Sequence, residues 1–463
     1  MKRLPISLGL CLVFSGATNA VIFEPNSVPR SGLLRVRGVG FGSGGQVRLG
    51  SQVFPIARWS DNLIECYVPS AAPLGQQVVQ VLPKSGSTSG RIAGVLSVGP
   101  QEPPSGRLAW RIKLADQYVS SRPAIGPDGT VYAIGNFGHV YAVTMQGAIK
   151  WVVSVGAAGT IDVLPNGNVV VGGGGGVQAL SHVDGSRLWT YPITTPLLCG
   201  PSVGPDGNIY AADDSRWSTN VIGAFVLNRN GQKLWNGGVF YRRGGGWTPQ
   251  EVKFGGGNAY FWSDYSSTGG FALGGLNAMA LGGGLRWRVE DGVGIMPGVH
   301  PNGSVVLFRP SSIDMWSPVG GQVWSQNLSQ FGGQPQGEAT VGADGRTYFL
   351  TSQARVNVVS TTGQIIASTV LGGLLSDQVI RQDGNLVVLE RQPNFGVASE
   401  IRGYTKTMNL LWSQPLPIDL GMTITVYHRM VFGATGDFVY FGTAGPYTSA
   451  DEAHCYLYGL DAR

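Results

Sequence analysis

The sequence predicts an all-β protein: an eight-bladed β-propeller closed by an N-terminal strand and preceded by a small β-sandwich. Three observations carry this. A Gly-containing turn recurs eight times, at PDG 127–129, PNG 165–167, PDG 205–207, GGG 255–257, PNG 301–303, ADG 343–345, QDG 382–384 and ATG 434–436, and its last Gly repeats every 38 to 52 residues. A second mark, Gly-x-x-x-Trp, alternates with it at Gly106–Trp110, Gly147–Trp151, Gly185–Trp189, Gly231–Trp235, Gly283–Trp287 and Gly320–Trp324. Between the marks lie short runs such as TVYAI, NVVVG and NLVVL. Four strands per unit at this period describe a propeller, because no single twisted sheet buries both its faces and neighbours must stack.

The chain has 463 residues, 43% of them hydrophobic and 13% charged, which gives ample core and argues against disorder. Its 72 Gly and 27 Pro residues suit many tight turns. Residues 1–20 read as a signal peptide. Lys2 and Arg3 precede the apolar run 6–14, and small residues lead to cleavage near Ala20. No later run is long and apolar enough for membrane insertion, so a periplasmic or secreted protein is expected. Without Lys2 and Arg3 the net charge falls from +5 to +3, and no basic run points to nucleic acid. Cys66, Cys199 and Cys455 are too scattered for a disulfide framework and read as buried small hydrophobes, with a Cys199–Cys455 bridge left open.

Residues 21–99 form the sandwich. Leu34 and Val36 alternate, as does the run Val78, Val79 and Val81, and Gly and Pro punctuate the strands. The stretch resembles the IPT/TIG immunoglobulin-like family through Gly38-Val39-Gly40-Phe41-Gly42, Val47, Leu49, Trp59-Ser60-Asp61, Ile64 and Val68-Pro69. That resemblance implies a binding or spacer module without catalytic residues. A Pro-rich linker, 100–106, follows.

Residues 107–463 hold the repeats, each read as strands A and B flanking the turn, a strand C, and a strand D bearing the Trp. The last copy, ending YLYGLDAR, lacks its D strand, and RLAWRIK near residue 110 precedes every A strand. The ring closes if these two stretches pair, which removes unpaired edges. The Pro-Asp-Gly-x-Val-Tyr and Gly-x-x-x-Trp stretches resemble the PQQ-like eight-bladed propeller family. One precedent in that family is an outer-membrane assembly factor that captures partner proteins through its loops. Each Trp reads as a docking plug between blades. Ala367 replaces one of them and predicts a weaker seam there; Met408 stands for one Gly.

Strand direction alternates, so the uniform A–B turns lie at one end of the ring and the B–C and D–A connections at the other. The latter vary in length, and such loops commonly carry function. They hold Arg216, Trp217, Tyr241, Arg242, Arg243, Trp247, Trp262, Tyr265, Phe395 and Tyr447, a mixture suited to an envelope protein or a polysaccharide, or else to pinning long loops down. The expected function is therefore non-catalytic binding or scaffolding. The alternative is a polysaccharide hydrolase or lyase drawing on Asp213, Asp214, Asp264, Glu400, Asp451, Glu452, His139 or His454, none of which is paired by its spacing. A quinone-dependent dehydrogenase is disfavoured because the adjacent cysteines and acid/amide cluster of such enzymes are missing, so no cofactor and no metal are expected. The run 172–176 lacks the Lys-Ser/Thr and helix of a phosphate loop and reads as a B–C hairpin. The front domain is expected on or beside the uniform-turn end, where the linker enters.

Overall fold

A computed structural model describes residues 21–84, 92–101, 106–156, 159–195, 197–213, 221–240, 251–263, 273–293, 296–371, 374–380, 384–391, 400–416, 430–433, 436–443 and 455–463. Residues 1–20, with the expected signal peptide, lie outside them. Strands dominate, and the one helix among the described residues is a single 3-10 turn, Leu328–Phe331. Among these residues no helix is long and apolar enough to cross a membrane.

The front unit consists of a four-stranded and a five-stranded sheet. They enclose one core that includes Leu34, Val36, Phe41, Val47, Ile64, Val79 and Val81. Leu34, Val36, Val79 and Val81 thus point inward, as a period of two requires, while Val78, one residue out of phase, is exposed. Trp59 and Asp61 tie the glycine loop 38–42 to this core. The Trp59 indole donates to the carbonyl of Phe41 at 3.1 Å, and Asp61 accepts the amide of Gly42 at 2.9 Å.

Eight four-stranded antiparallel sheets follow among the described residues. Sheet 1 begins at Ala124–Ile125, sheet 2 at Ile161–Val163, sheet 3 at Leu197–Val203, sheet 4 at Lys253–Gly255, sheet 5 at Gly298–Val299, sheet 6 at Pro335–Val341, sheet 7 at Leu374–Ile380 and sheet 8 at Val431–Phe432. The fourth strand of sheet 8 is Leu108–Lys113, which pairs antiparallel with Tyr456–Asp461: Trp110 lies opposite Gly459 and Lys113 opposite Tyr456. Separate apolar cores join each sheet to the next. Two examples are the Ile134, Trp151 and Val171 core between sheets 1 and 2 and the Phe308, Phe331 and Phe349 core between sheets 5 and 6. The core of Val387, Ile401, Val439 and Phe441 joins sheet 7 to sheet 8, and that of Ile112, Val131, Tyr440 and Leu457 joins sheet 8 to sheet 1. The packing returns to its start, so the sheets form a ring.

Burial orders the strands within each sheet. Second and third strands such as Val131–Ile134 and His139–Val143 are buried along their whole length. Fourth strands such as Arg187–Pro192 and Gln322–Asn327 are largely exposed and form the rim. The turns follow their chemistry. Asp128 accepts the amide of Thr130 at 2.9 Å, and Gly129 supplies the left-handed residue with φ 78°. The 172–176 run is the hairpin its sequence suggested, with Gly173 opposite Gly176.

Each rim Trp plugs into the following copy. The Trp110 indole donates to the carbonyl of Met145 at 2.7 Å, Trp151 to His182 at 3.1 Å, Trp287 to Pro318 at 2.8 Å and Trp324 to Thr361 at 2.9 Å. The repeat Gly exists to admit the ring. A Cβ on Gly147 would lie 2.5 Å from Trp110, and one on Gly363 would lie 2.8 Å from Trp324. The seam at Ala367 is built from different residues. The next Gly position is Met408, which keeps the left-handed backbone at φ 67°, and its buried side chain belongs to the apolar core against which Ala367 packs. A large residue has moved from one partner to the other.

The position of the front unit also departs from expectation. The linker does enter by the uniform-turn end, where Gln101 donates to the carbonyls of Gln146 and Gly147, both at 3.1 Å. The unit itself packs against the outer edge of the ring, with Leu33, Ala57 and Tyr67 joining the core of Trp110, Ile112 and Val152. The rim strands there, Leu108–Lys113 and Ile149–Ser154, are accordingly more buried than the others. Tyr67 reaches the far end of the first of these, donating to the carbonyl of Lys113 at 3.1 Å. Apolar area on both units decides this placement, and the point of chain entry does not reveal it.

Candidate functional site at the ring axis

Of the ten loop residues read as contacts, Arg216, Trp217, Tyr241, Arg242, Arg243, Trp247, Tyr265, Phe395 and Tyr447 lie outside the described residues. Trp262 lies within them and is corrected: it is only 2% exposed and sits in the core between sheets 4 and 5 with Tyr260, Leu276 and Leu307. It occupies the second strand of its sheet, Asn258–Ser263, where both faces are covered, so its indole serves packing.

Among the alternative acid–base candidates, Asp214, Asp264, Asp451, Glu452 and His454 also fall outside the described residues. Asp213 ends the second strand of sheet 3. Glu400 is held by Arg402 at 2.8 Å and by the Ser413 hydroxyl at 2.9 Å, with Arg402 the main cause of its lowered pKa. His139 is buried, its Nδ1 2.9 Å from the Asp116 carboxylate. Asp116 is fully buried and also accepts from the Tyr141 hydroxyl at 2.5 Å and the Phe137 amide at 2.7 Å. Tyr67 of the front unit meets the edge of Tyr141, with ring centres 6.0 Å apart. This network braces the junction of the two units. Burial and then the Asp116 charge push the Tyr67 phenol well above its ordinary range, so it stays a neutral donor. Cys66, Cys199 and Cys455 are buried free thiols in separate cores, so the Cys199–Cys455 bridge does not form.

The structure gathers a different set at the axis. Arg122 lies just before the first strand of sheet 1. Its guanidinium is 2.8 Å from Glu338 of sheet 6 and 3.6 Å from Glu251, which precedes the first strand of sheet 4. Lys253 of sheet 4 also pairs with Glu338. These sheets are not neighbours, so the contacts cross the middle of the ring. Gln378 of sheet 7 donates to the carbonyls of Glu338 at 3.1 Å and Tyr348 at 2.8 Å. Glu338 is 7% exposed, so two cations and an ordered backbone replace the water its charge has lost.

Asp162 of sheet 2 completes the set. Its carboxylate accepts the amides of Val203 at 2.7 Å and Val163 at 2.8 Å. Burial nevertheless pushes it up to about 6, with Glu251 acting in the same sense and Arg122 against. The axis thus carries two cations, two ion-paired carboxylates and one acid that burial pushes up to about 6. All of these residues precede their turn triplets by a few positions: Arg122 and Glu251 lie just before the first strands of their sheets, and Asp162, Lys253 and Glu338 lie within them. Sequence reading missed them because each copy contributes a different residue type. The legible signal was positional: charge at Arg122, Asp162, Glu251 and Glu338, three to five residues before the turn. Among the described residues no group of three or more His, Cys, Asp or Glu side chains is arranged to hold a metal ion.

A PQQ-repeat family model, described as "Outer membrane protein assembly factor BamB", matches residues 97–269. No curated protein matches the chain. Among solved structures, the Dos1 propeller is similar at a TM-score of 0.53 and 10% identity, covering 76% of this chain and 94% of that one. A europium-containing methanol dehydrogenase is similar at 0.50 and 12%, covering 77% and 93%. BamB from Moraxella catarrhalis aligns at 0.42 and 13%, covering 72% and 92%. At these identities the likeness is one of fold. The chain is an all-β protein of the propeller type, with a BamB-family match over residues 97–269.

Proposed function

We propose that this is an exported, non-catalytic binding or scaffold protein: an eight-bladed propeller with an IPT/TIG-like front domain. It takes an envelope protein or polysaccharide at the ring end that carries the variable connections. The matched family model is by its description an outer-membrane assembly factor, which favours an envelope partner. The observation that carries the reading is the axial network. Arg122 links Glu251 and Glu338 across sheets 1, 4 and 6, and this supports a braced, charged floor for the proposed contact end. A rigid floor lowers the ordering cost of binding. Arg216, Trp217, Tyr241, Arg242, Arg243, Trp247, Tyr265, Phe395 and Tyr447 remain the proposed contacts around it, and the signal-peptide pattern of residues 1–20 supports a periplasmic or secreted location.

The test is retention of envelope proteins and polysaccharides on immobilised protein, comparing wild type with Arg242→Ala/Arg243→Ala/Trp247→Ala. Saturable binding by wild type that the triple variant loses is expected. Equal retention by both overturns the proposed contact end.

One observation favours a second reading, glycosidic hydrolysis or elimination. Asp162, pushed up to about 6 by burial and with Glu251 acting in the same sense, is an acid of the kind that acid–base chemistry uses. Release of reducing ends from a polysaccharide panel at pH 5–7, abolished by Asp162→Asn, would establish it.

A further inference from the structure

A cleft of about 500 Å³ lies where the front unit meets the rim strand Leu108–Lys113, well away from the axis. Ligand sites favour such junctions between units, and the volume falls in the range of small-molecule pockets. Four cations line it, Arg30, Arg35, Arg111 and Lys113, against the single carboxylate of Glu24. Glu24 is already engaged by Arg37 at 2.6 Å, and Arg35 by Glu65 at 3.0 Å. Arg30 spends its Nε on the carbonyl of Ala72 at 2.7 Å. The Arg111 guanidinium lies 5.0 Å from the centre of the Tyr456 ring, which presents a flat cationic face at the wall.

Ser31, also in the wall, adds an independent observation. It is 4% exposed, and its hydroxyl has no hydrogen-bond partner in the protein. It sits third in a turn closed by Gly32 N–H donating to the Pro29 carbonyl at 2.9 Å, with φ 61°. That position belongs by preference to Gly or Asn. A serine that holds a left-handed backbone and leaves a buried hydroxyl unmatched is costly twice over, and such costs concentrate at binding sites.

We infer that this cleft binds an acidic oligosaccharide, its uronate carboxylates meeting the arginines and Lys113 and its hydroxyls meeting Ser31. Pro25 and Pro29 contribute apolar surface to the same walls. Free phosphate would leave that surface unmatched, whereas a sugar ring offers CH faces to it and to Tyr456. The inference goes beyond the reading of the ring end and does not rest on it.

Calorimetric titration of the full chain with trigalacturonate tests it, with galactotriose and inorganic phosphate as separate arms. Saturable binding of trigalacturonate that weakens with salt is expected. Arg30→Ala/Arg111→Ala lowers affinity about tenfold or more. Ser31→Gly suits the turn, keeps the fold and lowers affinity about fivefold. No saturable binding, equal affinity for galactotriose or phosphate, or unchanged affinity in Ser31→Gly overturns the inference. The assay contains no envelope extract, so its failure leaves the ring-end reading untouched, and the failure of that reading leaves this one.

Discussion

At the seam between sheets 5 and 6, Trp324 lies over Gly363; one seam further, Ala367 faces Met408. In the first the large residue comes from the fourth strand, and in the second it stands at the Gly position, in the apolar core against which Ala367 packs. The rim therefore conserves volume across a pair of positions, whatever the residue at either one. The axis works differently. Arg122, Asp162, Glu251, Lys253 and Glu338 each occur once, and what is balanced among them is charge. Packing energy is short-ranged and repeats with the sheet. Electrostatic compensation spans the ring and needs no repeat.

The largest expected effect is at the closing strand. Trp110 is 3% exposed and joins sheet 8 to sheet 1. Trp110→Ala should cost about 3–5 kcal/mol in denaturant unfolding. A loss below about 1 kcal/mol would break the view of the rim as a set of load-carrying plugs.

Next comes the axis. Glu338→Gln leaves Arg122 and Lys253 facing each other without their shared anion, and should cost about 3 kcal/mol. The added variant Arg122→Met should recover part of that loss, because it removes one stranded charge. Additive costs in the double variant would show that the two residues do not act together.

The exceptional seam offers a swap. Met408→Gly alone should cost about 2–4 kcal/mol through the cavity beside Ala367. Ala367→Trp alone should also destabilise, because Met408 occupies the space. Together they should recover most of the loss and recreate the Trp324–Gly363 arrangement. A double variant no better than the worse single one would sink volume exchange as the rule.

The smallest effect is titration. The folded Asp162 pKa, about 6, lies above its ordinary value, so the folded state holds the proton more tightly. This contribution is fully present below the ordinary carboxylate pKa and is lost as pH rises through 6. Between pH 4 and 7 wild type should lose roughly 2 kcal/mol relative to Asp162→Asn, read from paired unfolding curves. Parallel pH profiles would remove Asp162 from the axial set.

The Gly turns, the Trp plugs and the partner of the last strand were readable because each obeys a local or periodic rule. Gly129 must take a positive φ, Trp110 must have a Gly to cover, and YLYGLDAR needs a strand beside it. The candidate site was not readable, because Trp262 looks the same in a sequence whether it faces solvent or a neighbouring sheet. Only the second strand's double-sided burial tells the two apart.

By itself the sequence determined the strand order, the turns and the Trp–Gly pairing, since these follow from steric demands on residues near one another or one repeat apart. The tertiary structure alone decided that Arg122 meets Glu251 and Glu338, that Met408 makes up for Ala367, and that the front unit packs on the rim over a cationic cleft. Those outcomes depend on which distant surfaces are complementary once the ring is assembled, and no local rule in the chain encodes them.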